Sequence, residues 1–529
     1  MKENNSSNNN QNNKSVHNNN SSNNQSQKKN LNQYINHTLE SIGFSRYHLL
    51  LFVTNALFLF CEGMNEIIHI ILLSMIDEKH NLSHYHLAFM NSIEYLGYSI
   101  STLLVTPITN HITRKKAILI CIVLSLLCTG LSISSFNFYF ASFNRFILGF
   151  CFGILNILIY LNLFESLPTK IRGFVSTMIL LFFPLGEFIL SLVCYFKLKE
   201  GEMEMNYKFM ILIPFIFISI ICLAAIFLQE SPRDLFFGKF LYSQGVESFR
   251  KISQFNGDNN SKDKFNFGEG DIDNIVDNRN IELRNVNQNI DNENNNNLNN
   301  NVDNIENIFD NYELNGLIMN KSNSTILKLS RFKQLFNSYY CKYTVLFWLI
   351  GSFSGFVFNG IHFMLPATAP KISKQIFLDL VLFESMEIPP NFFAMLLIEN
   401  KGLGRKQTIR FGFFITFLIS ITNIYLGETI LLFDCLQKFT LAIPLNVVMV
   451  YCSEIYDTHV RTLGLSLMNF WRKVMSLFSP FFMSYILYNY GEFHSHLCYT
   501  PLLFFCALGS LFFDIETRGK ALDESFQNG

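Results

Sequence analysis

The chain has 529 residues, of which 49% are hydrophobic, 15% aromatic and only 15% charged. A soluble domain carries about a quarter charged residues, and 57 phenylalanines in runs too long for a core helix point to a membrane. A net charge of −1 predicts neither a nucleic-acid partner nor an acidic one, and eleven cysteines scattered without a Cys-x-x-Cys pair exclude a disulfide framework or a zinc site.

Residues 1–30 are Asn-rich and lack apolar periodicity, so residues 1–46 are expected to be a disordered tail. No cleavable signal peptide is visible there, and the first membrane helix is expected to act as its own insertion signal. A membrane span needs about 20 apolar residues. Six candidates follow at roughly 48–75, 85–106, 117–136, 139–164, 173–196 and 207–228. A polar stretch, Asn-rich over about 256–325, then separates them from six more. These lie near 341–365, 375–398, 408–427, 429–453, 462–488 and 497–513. The predicted organisation is therefore a half at 47–228, a central loop at 229–340, a second half at 341–513 and a tail at 514–529. The Asn-rich stretches read as tolerated low-complexity expansions, with docking or regulation as the alternative.

An even number of spans puts both termini on one side. Arg114, Lys115, Lys116, Lys170, Arg172, Lys401, Arg405, Lys406, Arg410 and Arg461 fall in the short loops of that side, and basic residues mark the cytoplasm. The plasma membrane is the default location for such a chain, with an internal organelle open.

The two halves share a grammar. Glu165-Ser-Leu-Pro-Thr-Lys-Ile-Arg172 and Glu454-Ile-Tyr-Asp-Thr-His-Val-Arg461 both set a glutamate seven residues before an arginine, 289 residues apart (454 − 165). Arg114-Lys-Lys pairs with Gly404-Arg405-Lys406 at an offset of 291 (405 − 114). Glu230-Ser-Pro-Arg233 pairs with Glu516-Thr-Arg518 at 286 (516 − 230). Three elements in one order and register imply structurally related halves, which in membranes usually form a transporter with its solute site between them.

These strings, with Asn144-Arg145-Phe-Ile-Leu-Gly149-Phe-Cys-Phe-Gly153 and Glu387-Ile-Pro389, make the chain resemble a major facilitator superfamily transporter. The resemblance lies in the branch of sugar porters, organic-ion transporters and synaptic-vesicle-protein-2-like carriers, and it covers nearly all of the chain outside the Asn-rich stretches. It implies an all-α fold of twelve transmembrane helices in two pseudo-symmetric six-helix halves, working as a monomer on a small-molecule solute in the bilayer. Glu165, Arg172, Glu454 and Arg461 are expected at helix ends as a gating network of ion pairs that form and break between the halves. The resemblance adds Arg145 and Arg233 to that network, and Arg114 and Arg405 lie in its loops. Snorkelling, positive-inside anchors are the plainer alternative. The loop Thr106-Pro-Ile-Thr-Asn110-His-Ile-Thr113-Arg114 departs from the family pattern by lacking its glycines and its acid. Gly149 and Gly153 read as a small-xxx-small packing face.

A charge at the bilayer centre costs about 2.5–3.5 kcal/mol on insertion scales, so one kept there needs a function or a partner. Glu62 and Glu66, four apart on one helical face, with Glu94 and Glu187, are the candidate proton-coupling acids. A carboxylate in a partly dry cavity is suited to exchanging a proton near neutral pH. Glu384 and Glu387 lie in the eighth span, and Arg472 and Lys473 in the eleventh. Lys473 lies seven before Pro480, where organic-ion carriers place a substrate-facing charge, basic for anions. Glu62-Gly-Met-Asn65 resembles the acidic first-helix motif of proton-coupled vitamin carriers. Candidate solute contacts are Lys473, Arg472, Asn359, Asn156 and Asn469. Asn162, Asn446 and Trp471 would suit a sugar, although the Gln-Gln motif typical of sugar porters is replaced by Gly351-Ser-Phe-Ser-Gly355. The expectation is secondary transport of a carboxylate nutrient, of pantothenate or nicotinate type or an organic acid, with a proton. A facilitative sugar transporter and a non-transporting sensor are the alternatives. No nucleotide loop, metal cluster, cofactor site or nucleophile arrangement is legible, so neither an enzyme nor ATP-driven transport is expected.

Overall fold

The computed structural model describes residues 35–80, 82–134, 137–197, 203–239, 242–256, 332–368, 374–426, 431–520 and 522. The Asn-rich tail at 1–30 and nearly all of the Asn-rich stretch near 256–325 lie outside them. The described residues are helical, and none forms a strand.

The first half holds α1 (Arg46–His80), α2 (His84–His111), α3 (Arg114–Leu131), α4 (Phe138–Ser166), α5 (Thr169–Leu180), α6 (Phe182–Lys197) and α7 (Met203–Ala225). A short amphipathic helix, α8 (Tyr242–Phe255), follows. The second half holds α9 (Cys341–Thr368), α10 (Lys374–Ser385), α11 (Ile388–Glu399), α12 (Gly404–Leu426), α13 (Leu431–Ile455), α14 (Thr458–Tyr490) and α15 (Glu492–Leu511).

Two of the predicted spans are broken. The fifth divides into α5 and α6 at Leu181 because Pro184 has no N–H to give to the carbonyl of Leu180. The eighth divides into α10 and α11 because Pro389 and Pro390 leave the carbonyls of Ser385 and Met386 without helical donors. Counting each broken pair as one span gives twelve.

Eight of the twelve are long and apolar enough to cross a membrane by composition alone. The others carry polar work. Helix α3 opens on Arg114-Lys-Lys, and α14 carries Arg461, Arg472 and Lys473. The outer surface is apolar, as lipid requires. On α12, Phe411, Phe414, Ile415, Leu418 and Ile421 are exposed at helical spacing, while Thr408, Thr416 and Ser420 are buried.

The packing pattern repeats between halves. In the first half, α2 packs on α4, α1 on α6, α1 on α7, α3 on α4 and α3 on α7. The corresponding spans of the second half pair the same way: α11 on α13, α9 on α14, α9 on α15, α12 on α13 and α12 on α15. The seam obeys the same symmetry, with α2 against α14 and α5 and α6 against α11 and α10.

Glycine permits the closest crossings. A Cβ on Gly149 would lie 2.1 Å from the carbonyl oxygen of Glu94, and one on Gly97 would lie 2.1 Å from that of Phe146. The α2–α4 crossing therefore brings backbone against backbone.

Candidate functional site

Charge is concentrated at two levels. At one end of the bundle two symmetric clasps close the seam. Arg114, at the start of α3, bonds Glu165 at 2.8 Å. Arg461 reaches the other oxygen of Glu165 from across the seam at 3.4 Å. Arg405, at the start of α12, bonds Glu454 at 3.2 Å, and Arg172 approaches Glu454 from across the seam at 3.9 Å. Each glutamate thus holds one arginine of its own half and one of the other. Glu230 accepts from the backbone N–H of Lys115 at 2.8 Å, and Glu516 accepts from that of Lys406 at 3.0 Å. Both acids satisfy open donors at a helix N-terminus, where negative charge is favoured.

A second level lies deeper along the seam, and its symmetry is only partial: an acid of the second or eighth span meets a base of the fourth or tenth, while the charges around each pair differ. On the α2 side, Arg145 donates to the carbonyl of Asn65 at 3.1 Å and pairs with Glu94 at 3.4 Å. Asn156 donates to Glu62 at 3.0 Å. Lys473 comes from α14 and places its ammonium over the rings of Tyr98 and Tyr95, 4.1 and 4.9 Å from their centroids. It lies within electrostatic reach of Glu62, Glu66 and Glu94, with Arg472 beside it. Three acids and three bases make this cluster formally neutral.

On the α6–α10 side, Lys438 of α13 is buried between Glu384 and Glu387. It hydrogen-bonds Glu384 and lies 3.2 Å from Glu387. The ammonium also stands 4.2 Å above the ring of Phe383. His362 of α9 approaches Glu384 at 3.8 Å and Glu387 at 4.0 Å. Glu187 of α6 joins them across the seam.

A family model described as Major Facilitator Superfamily matches residues 56–480. The chain belongs to the major facilitator superfamily of membrane transporters. The synaptic vesicle 2-related protein of Rattus norvegicus is 29% identical over 165 residues, covering 29% of this chain and 28% of the relative. The organic cation/carnitine transporter 2 of Rattus norvegicus is 26% identical over 171 residues, 31% of this chain and 29% of the relative. Each match thus spans under a third of the relative's length. The proton:xylose symporter XylE, solved with 6-bromo-6-deoxy-D-glucose, superposes with a TM-score of 0.65 at 17% identity, over 90% of this chain and 98% of that one. That likeness concerns the fold.

Among the residues singled out by sequence, this facilitator fold brings Arg114, Glu165, Arg172, Arg405, Glu454 and Arg461 together at the clasp. Arg145 stands elsewhere, in the deeper neutral cluster, because its depth along α4 aligns it with Glu94 and not with Glu165. Arg233 is buried and bonds Asn36. Glu62, Glu66, Glu94, Arg472 and Lys473 meet in one cluster, and Glu187 joins the other.

Two asparagines named as candidate solute contacts bond within the second half. Asn359 gives its amide to Gly355 and Ser476 at 3.0 and 2.6 Å, and Asn469 gives its amide to Leu465 at 3.0 Å. Lys438 and His362 escaped the sequence reading. Each is an ionisable residue within an apolar span, the signal that had picked out Lys473.

Proposed function

We propose that the protein is a secondary carrier working by alternating access, moving a small carboxylate solute together with a proton. The clasp would face the cytoplasm, as the basic loops argue, and would hold that side closed. The chain would act as a monomer, with residues 47–228 and 341–513 as its two moving halves and the plasma membrane as its default site.

The observation that carries the reading is Lys473. A cation of the second half lies on two tyrosine faces of the first half, surrounded by carboxylates of α1 and α2. A solute carboxylate entering the seam competes with Glu62, Glu66 and Glu94 for Lys473 and Arg472. The acid so displaced becomes an uncompensated buried charge and takes up a proton. Anion and proton then enter together, and the cluster stays neutral. Arg145, held to Glu94, keeps one acid of the three paired throughout.

The relative named for organic cations and carnitine and the solved symporter named for protons and xylose support solute transport and proton coupling in this fold. Neither name selects the solute.

Uptake by the purified protein in liposomes tests the reading. Labelled pantothenate or nicotinate should accumulate, faster with an inward proton gradient, and should outpace labelled glucose. Lys473→Ala should abolish that uptake. Faster glucose uptake that ignores the gradient would favour a facilitative sugar carrier. Saturable binding without accumulation would make the protein a sensor.

A further inference from the structure

The α6–α10 cluster lacks the balance of its neighbour. Glu187, Glu384 and Glu387 carry three negative charges against the single ammonium of Lys438, leaving a formal charge of −2 in a buried seam. Glu187 and Glu384 are 1% and 0% exposed. Among the described residues, Glu187 Oε2, Glu384 Oε1 and His362 Nε2 are buried without a hydrogen-bond partner. Buried polar atoms are normally satisfied, and buried charges are paired or bind metal.

The geometry adds a second constraint. One carboxylate oxygen each from Glu187 and Glu384 and one imidazole nitrogen of His362 lie within 4.8 Å of one another. Ligand atoms bound at about 2.0–2.2 Å to one ion stand roughly 3–4.3 Å apart, so closure needs only a small swing of the side chains. Glu384 already divides its oxygens, giving Oε2 to Lys438 and leaving Oε1 toward His362. A lysine bonded to the far oxygen of a ligating carboxylate is an orienting outer-shell partner.

From these residues we infer that Glu187, His362 and Glu384 form a binding site for one divalent transition-metal ion. Two carboxylates with one imidazole suit Mn²⁺, Fe²⁺, Co²⁺ or Zn²⁺ over the all-oxygen preference of Mg²⁺ and Ca²⁺. A 2+ ion cancels the surplus charge of the cluster.

Position gives the site a consequence. Glu187 belongs to the first half, while His362 and Glu384 belong to the second, beside the breaks in the fifth and eighth spans. An ion bound by all three holds the seam together and stabilises the arrangement in which they meet.

None of the three ligands is a residue of the carboxylate reading, although Lys473 stands within electrostatic reach of His362. The test is titration of the full-length protein in nanodiscs with CoCl2 and MnCl2 alone. The expected result is one saturable equivalent per chain, with a d–d absorption band for Co²⁺ and a nitrogen coupling from His362 in the electron spin echo of bound Mn²⁺. Glu187→Gln and Glu384→Gln should each weaken binding at least about tenfold. Non-saturable binding, a bound Mn²⁺ without nitrogen coupling, or unchanged affinity in Glu187→Gln would each overturn the assignment. Should a variant fail to fold, the spin echo of the unsubstituted protein still decides. Protonation of the cluster without metal uptake would show that it takes up only protons and would also overturn it.

Discussion

At the clasp end the two halves are close copies; halfway along the seam they differ. Arg114, Glu165 and Arg461 have counterparts in Arg405, Glu454 and Arg172. The deeper charges correspond only in part: Glu94 with Arg145 on α2 and α4 answers to Glu384 with Lys438 on α10 and α13, but the surrounding charges leave a neutral cluster on the α2–α14 side and a net acidic one on the α6–α10 side. Symmetry is useful where both halves must perform one motion. A solute or an ion has no such symmetry, so a site that selects it gains from residues peculiar to one half. The comparison therefore separates the machinery of movement from the chemistry of choice.

The largest effect should come from breaking the scaffold that both levels share. Gly149→Leu puts a branched side chain where even a Cβ would stand 2.1 Å from the Glu94 carbonyl. Helices α2 and α4 cannot then approach, and Glu94 loses its place beside Arg145. We expect no monodisperse protein by size-exclusion chromatography; a well-folded Gly149→Leu variant would refute the close crossing.

Next come two lysines, Lys438 buried and Lys473 half-buried, which should fail in different ways. Lys438→Met leaves three carboxylates facing one another without their hydrogen-bonded cation, and removing one partner of a buried pair costs about 3–5 kcal/mol. Its thermal midpoint should fall by several degrees. Lys473→Met removes a cation resting on two tyrosine faces, and methionine keeps contact with those rings. Its midpoint should fall much less, while acid uptake is lost. Equal destabilisation by the two substitutions would erase the proposed distinction between structural and solute-facing cations.

Much of this architecture was legible in the sequence. Lipid obliges each span to satisfy its own backbone, so twelve apolar runs announced twelve helical spans. The repeated Glu-to-Arg spacing named the residues that meet at the clasp because its two ends sit on the helices that flank one short turn. Depth was harder to read. Nothing in the string around Arg145 says that it aligns with Glu94, because that depends on how far α4 slides past α2. Nor does the string say that Asn359 and Asn469, named as candidate solute contacts, each give an amide N–H to the carbonyl four residues earlier. The grouping of Glu187, His362 and Glu384 draws on three spans, and no local spacing encodes it.

The clasp itself can be loosened in steps. Glu165→Gln weakens one cross-seam pair at 3.4 Å, and Glu454→Gln weakens one at 3.9 Å. Both should shift the population toward the state open at this end, Glu165→Gln more strongly, as read by cysteine accessibility or by spin-label distances between α5 and α14. A shift for one and none for the other would show that the symmetry is one of position alone.

The smallest expected change tests one place where the clasps differ. Arg114 donates across the seam to Thr462, the residue after Arg461, at 3.0 Å. In the other clasp the residue after Arg172 is Gly173, and the guanidinium of Arg405 lies so close that a Cβ there would stand 2.1 Å from Nη2. Thr462→Gly removes this difference, while Arg114 keeps Asp234 and Arg405 keeps Glu399 as further partners. It deletes a single hydrogen bond to a charged group, worth about 1.5–3 kcal/mol, and leaves both glutamate–arginine pairs intact. Each 1.4 kcal/mol is a factor of ten in population, so the spin-label distribution should move in the direction of Glu165→Gln but less far. A shift as large as that of Glu165→Gln would mean that hydroxyl contact, and not the repeated ion pair, holds this end closed.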